Sequence, residues 1–197
     1  MVVQRSGAMR GKTGLKILMA VCVVIMLVSA AVMLFLRSAY YKRTVYPLKY
    51  EDMVTRYAQD HGVAQPLVYA VIYTESRFQP DAKSRVGARG LMQLTEITFD
   101  WVKGKLGDPD EVTFDAMYDP ETNIRYGTYL LGYLTRRFED RQYVLCAYHA
   151  GINRVSGWLK DETYSSDGVH LDTIPYSDTA HYVYKVEKAL TVYEEML

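Results

Sequence analysis

Residues 75–93 read ESRFQPDAKSRVGARGLMQ, and the reading turns on the first letter of that stretch and on what surrounds it. Upstream, Leu67, Val68, Ala70, Val71 and Ile72 form a nearly continuous apolar run. Pro66 suits a first-turn position, and Pro80 prevents continuation much past Phe78. The pattern predicts a buried helix with Glu75 in its last turn. Val71 and Ile72 lie four and three residues behind Glu75 and share its face, so an apolar surround disfavours the ionised carboxylate. The negative end of the helix dipole pushes the same way. Both effects raise the pKa, as a general acid working near neutral pH requires. A glutamate in a last helical turn is more often a solvated surface residue, so the segment after it decides. That segment is a loop punctuated by Pro80, Gly87 and Gly90, as a chain folding across a cleft would be.

Outward from this stretch the pattern is helical throughout. Tyr50 to Asp60 carries apolar positions at Met53, Val54, Tyr57 and Ala58, with Gly62 placed to end it. A helix over Thr95 to Leu106 is expected to turn Ile97, Trp101 and Val102 inward before Gly107, Asp108 and Pro109 break it. Asp119 and Pro120 make an N-cap and N1 pair. They open a long helix whose stripe of Ile124, Tyr126, Tyr129, Leu130, Tyr133 and Leu134 has a period near 3.6. Shorter helices follow at about Arg141 to His149 and Asn153 to Lys160, then a polar irregular stretch, then a last helix from about Asp178 to Met196. No alternating strand pattern and no internal repeat is visible, so the fold class is all-α. Most of the 18 tyrosines fall on helical stripes and are expected in the core.

Three motifs stand in order along the chain: ESRF at Glu75 to Phe78, GARGLMQ at Gly87 to Gln93, and AYHAG at Ala147 to Gly151. Weaker echoes are NIRYGTYL from Asn123 and IPYSDTAHYV from Ile174. In this order and spacing they resemble the soluble lytic transglycosylase family of peptidoglycan-cleaving enzymes, within the lysozyme-like superfamily. The resemblance implies a lysozyme-like helical domain around a glycan groove. It also implies that Glu75 protonates the glycosidic oxygen between N-acetylmuramic acid and N-acetylglucosamine. Glu75 would then act as the base that frees the muramyl C6 hydroxyl for intramolecular attack, giving a 1,6-anhydro product. Ordinary glycosidases use two carboxylates; by this resemblance one suffices, and no cofactor or metal is implied. Ser84 matches the serine that hydrogen-bonds the acetamido group. Gly87 and Gly90 would allow close approach to the glycan. Met92 and Gln93 would line the cleft, and Tyr148 matches the tyrosine whose hydroxyl orients the acid.

Two departures mark this chain. His149 stands where the family usually has Asn, and Asp178 and Ala180 replace the Glu and Arg of the late motif. His149 and Asp178 remain candidate substrate contacts. A goose-type lysozyme hydrolase on the same fold would need a second acid, with Asp81, Glu96, Asp100 and Asp178 as candidates. A non-catalytic peptidoglycan-binding module is disfavoured by the intact Glu75.

The N-terminal part has a separate character. Ile17 to Leu36 is a run of twenty residues without a charge, bracketed by Lys16 and Arg37, and about 20 apolar residues span a bilayer core. The small residues Ser29, Ala30 and Ala31 offer a signal-peptide alternative, but the apolar run continues five residues beyond them, which favours an uncleaved anchor. A lipoprotein site at Cys22 is poorer, because Val21 before it is large. The expected organisation is a short basic cytoplasmic tail (1–16), a transmembrane helix in the lipid bilayer (17–36), a tether (37–49) and a catalytic domain (50–197). Four basic residues on each side of the span leave the positive-inside rule silent, so a cell-wall substrate sets the domain outside a bacterial membrane.

Residues 38–197 carry 18 basic and 23 acidic side chains, a net of −5, which argues against nucleic-acid binding. The two cysteines, Cys22 and Cys146, cannot pair from such different environments, and Cys146 among apolar neighbours reads as core. His61, His170 and His181 share no ligand spacing with one another or with His149, so no metal site is expected.

Overall fold

The computed structural model describes residues 7–197, and the first part of the expected basic tail, residues 1–6, lies outside the described residues. The chain divides at Pro47 and Leu48 into two units.

The first unit is one helix, α1 (Gly7–Val45), of 39 residues. At 1.5 Å per residue it is about 58 Å long, and its uncharged stretch alone matches the roughly 30 Å of a bilayer core. Its apolar side chains stand open to the surroundings, Leu27 at 66% and Phe35 at 72% exposure, and the helix is long and apolar enough to cross a membrane. It does not stop at Arg37, because no Gly or Pro interrupts the chain before Pro47. Instead it continues through the expected tether to Val45, with the Thr44 hydroxyl donating to the Tyr40 carbonyl at 2.8 Å.

The second unit, Leu48–Leu197, is built of helices. In it, α2 (Glu51–His61) ends where Gly62 takes a left-handed conformation at φ 66°. The next helix, α3 (Gln65–Ser76), is the run that the sequence marks as buried, with Pro66 in its first turn. Val68 through Ile72 are wholly inaccessible on every face. A helix buried all round must be enclosed by others: α8 (Ser177–Glu194) and α2 pack on it, with Tyr69 stacked on Tyr193 at 5.3 Å.

A second apolar cluster unites Leu94, Phe99, Val102, Met117 and Tyr126. It joins α4 (Glu96–Leu106), a 3₁₀ turn at Phe114–Tyr118 and α5 (Pro120–Arg137). Here Ile97 departs from expectation, being 83% exposed. Once Thr95 caps α4, the inward face falls on Phe99, Val102 and Leu106 at helical spacing, and Ile97 lies on another face. Asp119 caps α5 as expected, accepting the Thr122 N–H at 2.8 Å. Then come α6 (Arg141–Ala150) and α7 (Ile152–Trp158). Among the described residues β-pairing is limited to two isolated bridges, Lys83 with Arg89 and Arg89 with Leu94, inside the loop after α3.

Candidate active site

Glu75 sits in the last turn of α3, and the chain leaves the helix abruptly: Arg77 and Phe78 are both left-handed, at φ 53° and 62°. Such non-glycine conformations persist only where the surroundings impose them. Burial of the Phe78 ring and stacking of the Arg77 guanidinium 3.7 Å above the Tyr73 ring do so here. Ser76, buried, donates to the Leu91 carbonyl at 2.7 Å and so ties the helix end to the GLMQ segment.

Burial is the dominant influence on Glu75 and pushes its carboxyl up to about 7. The Tyr182 hydroxyl and the Lys185 ammonium, both on α8, pull it partly back. Tyr182 is coupled to the carboxylate electrostatically, yet its buried hydroxyl meets no partner within strict hydrogen-bond geometry. The site therefore holds a donor close to the acid that a small shift would engage. No carboxylate is among the groups that move Glu75. Asp81, Glu96, Asp100 and Asp178 are all exposed.

The loop after α3 is held from behind by Asn123, fully buried on α5. Its side-chain oxygen accepts the Met92 N–H at 2.8 Å, and its amide nitrogen donates to the Arg89 and Met117 carbonyls at 3.0 and 2.8 Å. One side chain thus satisfies three backbone groups that burial would otherwise leave unpaired. Gly90, at φ 77°, lies against the same Asn123 and the Met117 carbonyl, leaving no space for a Cβ. Its glycine requirement is internal, where the sequence reading set it against the glycan. Gly87, also left-handed, has open space around it. Met92 likewise turns inward: it is wholly buried and packs on Gly127 of α5 rather than lining the cleft. The Gln93 side-chain amide donates to the Ala82 and Gly90 carbonyls at 3.1 and 2.9 Å, so its donors brace the loop.

Ser84 accepts the Ala88 N–H at 3.0 Å, which leaves its hydroxyl proton for an outside acceptor. The Tyr148 hydroxyl donates to the Met92 carbonyl at 2.7 Å, whereas the sequence reading aimed it at the acid. It is still coupled to Glu75, whose charge, after burial, raises the phenol further. His149 fills the position of the family's asparagine by stacking on Tyr182 at 4.6 Å and sharing a hydrogen bond between Nδ1 and the buried Thr179 hydroxyl at 3.1 Å. Burial pushes its imidazole below the ordinary value, against the opposing pull of Asp178. It ties α6 to the start of α8. Cys146 is buried and its thiol is pushed up to about 12, chiefly by burial, so it is inert near neutral pH. His170 pairs with Asp167 on the surface and His61 lies in an aromatic cluster with Tyr57 and Tyr129.

Sequence reading missed Asn123, Thr179, Tyr182 and Lys185 as individual contributors, although the first three lie in the quoted echoes. Asn123 had one signal, a polar residue inside an otherwise apolar helical stripe.

Beside the site runs an open cavity of about 890 Å³, floored by Trp101 and Tyr133 and bordered by Tyr148. A helical domain with one desolvated carboxyl at a helix end and an aromatic-lined groove beside the GLMQ and AYHAG segments is a lysozyme-like domain. The Transglycosylase SLT domain model matches residues 52–169, and the chain belongs to that family. It is 36% identical over 143 residues to the soluble lytic murein transglycosylase of Salmonella typhimurium, covering 72% of this chain and 22% of that protein. A membrane-bound lytic murein transglycosylase C from Edwardsiella ictaluri is 38% identical over 119 residues, 54% of this chain and 32% of that one. The crystal structure of the 70 kDa soluble lytic transglycosylase of Escherichia coli superposes with a TM-score of 0.69 at 30% identity. It covers 79% of this chain and 25% of that one. The chain thus spans between about a fifth and a third of the length of these curated relatives.

Proposed function

We propose that this chain is a membrane-anchored peptidoglycan lytic transglycosylase that cleaves between N-acetylmuramic acid and N-acetylglucosamine and leaves 1,6-anhydromuramyl ends. The observation that carries the reading is Glu75: a carboxyl raised to about 7 by burial, with no second carboxylate among the groups that shift it. Such a group is protonated in a useful fraction at neutral pH and can give its proton to the glycosidic oxygen as the bond to muramyl C1 breaks. The carboxylate then faces Lys185 and the Tyr182 hydroxyl, which stabilise its charge. It takes the proton of the C6 hydroxyl as that oxygen closes on C1. The nucleophile is already part of the same sugar and has a high effective concentration, so no water needs activation. Ser84, with its hydroxyl proton available, suits the muramyl acetamido oxygen. Gln93, Gly90, Met92 and Tyr148 brace the loop from within, while His149 and Asp178 flank the cleft from α6 and α8. By this reading α1 anchors the protein in the cell membrane by a single pass, with residues 48–197 on the cell-wall side.

Product analysis tests the proposal. Muropeptides released from peptidoglycan should end in a 1,6-anhydromuramyl residue, lighter by one water than the hydrolytic product and resistant to borohydride reduction. Label at the new muramyl end after digestion in ¹⁸O-water would instead identify a lysozyme-type hydrolase.

A further inference from the structure

The cavity beside the site carries a charge pattern that neutral sugar hydroxyls do not call for. Arg137, at the end of α5, and Arg154, on α7, both line it, and no acidic residue does. This stands out on a chain whose residues 38–197 carry a net charge of −5. Arg56, Arg89, Arg125 and Arg141 each hold an Asp or Glu. Neither Arg137 nor Arg154 is in an ion pair among the described residues. Each guanidinium lies against a ring instead, Arg154 at 5.3 Å from the Tyr176 centroid and Arg137 at 5.6 Å from that of Phe138. An aromatic brace restrains a guanidinium while leaving its donor edge available, and that planar fork matches a carboxylate. An exposed arginine is ordinarily solvated. Two of them on one cavity without acids make a locally positive concavity, where field lines concentrate.

Resting on the reading of Glu75 as a glycan-cleaving acid, we propose that Arg137 and Arg154 are specificity residues for the stem peptide, pairing with its carboxylates as the strand lies in the groove. Ala147 and Tyr148 line the cavity, and Tyr148 also bonds to the GLMQ segment of the site, so by this proposal a strand held at Glu75 runs on into it. Trp101 and Tyr133, in edge contact at 4.8 Å, give the sugar rings an apolar floor, and Asn153 and Thr98 serve their hydroxyls. In the intact strand each muramyl lactyl group is taken up in the amide to its peptide, so the carboxylates of the peptide branches are the anions the arginines would meet.

The test compares initial rates of the full chain in detergent micelles on two substrates: peptide-bearing glycan strands, and the same strands with their peptide carboxylates converted to amides. Wild type should favour the strands with free peptide carboxylates through KM rather than kcat, and the preference should shrink in high salt. The Arg137→Gln, Arg154→Gln double variant should lower the preference roughly threefold to tenfold, as the loss of two exposed charge pairs implies. Arg137→Lys, Arg154→Lys should keep part of it. Equal rates of wild type on both strands, or an unchanged ratio in the Gln variant with an unaltered circular dichroism spectrum, would overturn the proposal. Cosedimentation of the Glu75→Gln chain with the two strand types reads the same preference without turnover. Absence of cleavage by wild type on either strand would therefore count against the catalytic reading alone, while cosedimentation still decides this one.

Discussion

The Tyr148 hydroxyl donates to the Met92 backbone carbonyl at 2.7 Å, joining the AYHAG helix to the GLMQ segment across the floor of the site. Tyr148 is also electrostatically coupled to Glu75, so the bond fixes a phenol in the surroundings that desolvate the acid. Removing the hydroxyl in Tyr148→Phe strands the Met92 carbonyl without replacing its partner. A destabilisation of about 1–2 kcal/mol should follow, read as a lower denaturant midpoint at unchanged slope. The Glu75 pKa inferred from the rate profile should shift in the same variant, because the wall that desolvates it loosens.

Gly90→Ala tests the internal role of the loop glycine. A Cβ there meets the Met117 carbonyl and the Asn123 side chain, and the backbone is left-handed at φ 77°. Neither obstacle can move without breaking the bonds Asn123 makes to Met92, Arg89 and Met117. Thermal unfolding should show a loss on the order of 3 kcal/mol or more. Gly87→Ala, with open space around it, should cost distinctly less.

These residues mark how far the sequence could be read. Helix periodicity and Pro or Gly punctuation located α2 through α8 to within a few residues, and the apolar run before Glu75 correctly implied a raised carboxyl. The failures share a cause. Motif spacing says which residues come near the cleft but not which way each side chain turns, so Met92 and Gly90 were set against substrate when both face α5. Tyr148 was aimed at Glu75 when its hydroxyl donates a hydrogen bond to a backbone carbonyl 56 positions away. Tyr182 and Lys185 reach Glu75 only because α8 packs on α3, a pairing of elements roughly a hundred residues apart that no local pattern encodes.

The half-buried cluster of Asp108, Arg125 and Tyr126 should set much of the stability of the α4–α5 side. Arg125 pairs with Asp108 through two bonds of 2.7 and 2.9 Å, and the Tyr126 hydroxyl adds a third at 2.6 Å. Burial alone would raise the Asp108 carboxyl, but these bonds outweigh it and hold it below its ordinary value. Its contribution is therefore present above the usual aspartate range and is lost as pH falls through the lowered folded value. Asp108→Asn should cost about 1–3 kcal/mol near neutral pH, and the gap from wild type should narrow in strong acid. An equal gap at both pH values in chemical denaturation would show that the charge is not what stabilises the cluster.

Full-length protein should sediment with membranes and resist extraction by high salt, because α1 presents an apolar surface over a length that matches the bilayer core. Detergent should release it intact. Recovery of a soluble mature form beginning near Ala30 or Ala31 would show the segment to be a cleaved signal.

Glu75→Gln separates catalysis from stability and predicts opposite signs for the two. The amide keeps the shape but cannot deliver a proton, so turnover should fall about 10²–10⁴-fold. For stability, the wild-type carboxyl titrates at about 7 when folded, against the ordinary 4.5 when unfolded. Between those values the folded state binds more protons than the unfolded one, so wild-type stability declines as pH rises through the window. Glutamine has nothing to titrate. The variant should therefore gain on wild type between about pH 4 and pH 8, by on the order of 1–3 kcal/mol. Wild-type kcat/KM should likewise fall on its alkaline limb with an apparent pKa near 7, tracking loss of the acid's proton. Parallel unfolding curves for the two proteins across that range would show that Glu75 is solvated, and with it the argument for a desolvated acid would fail.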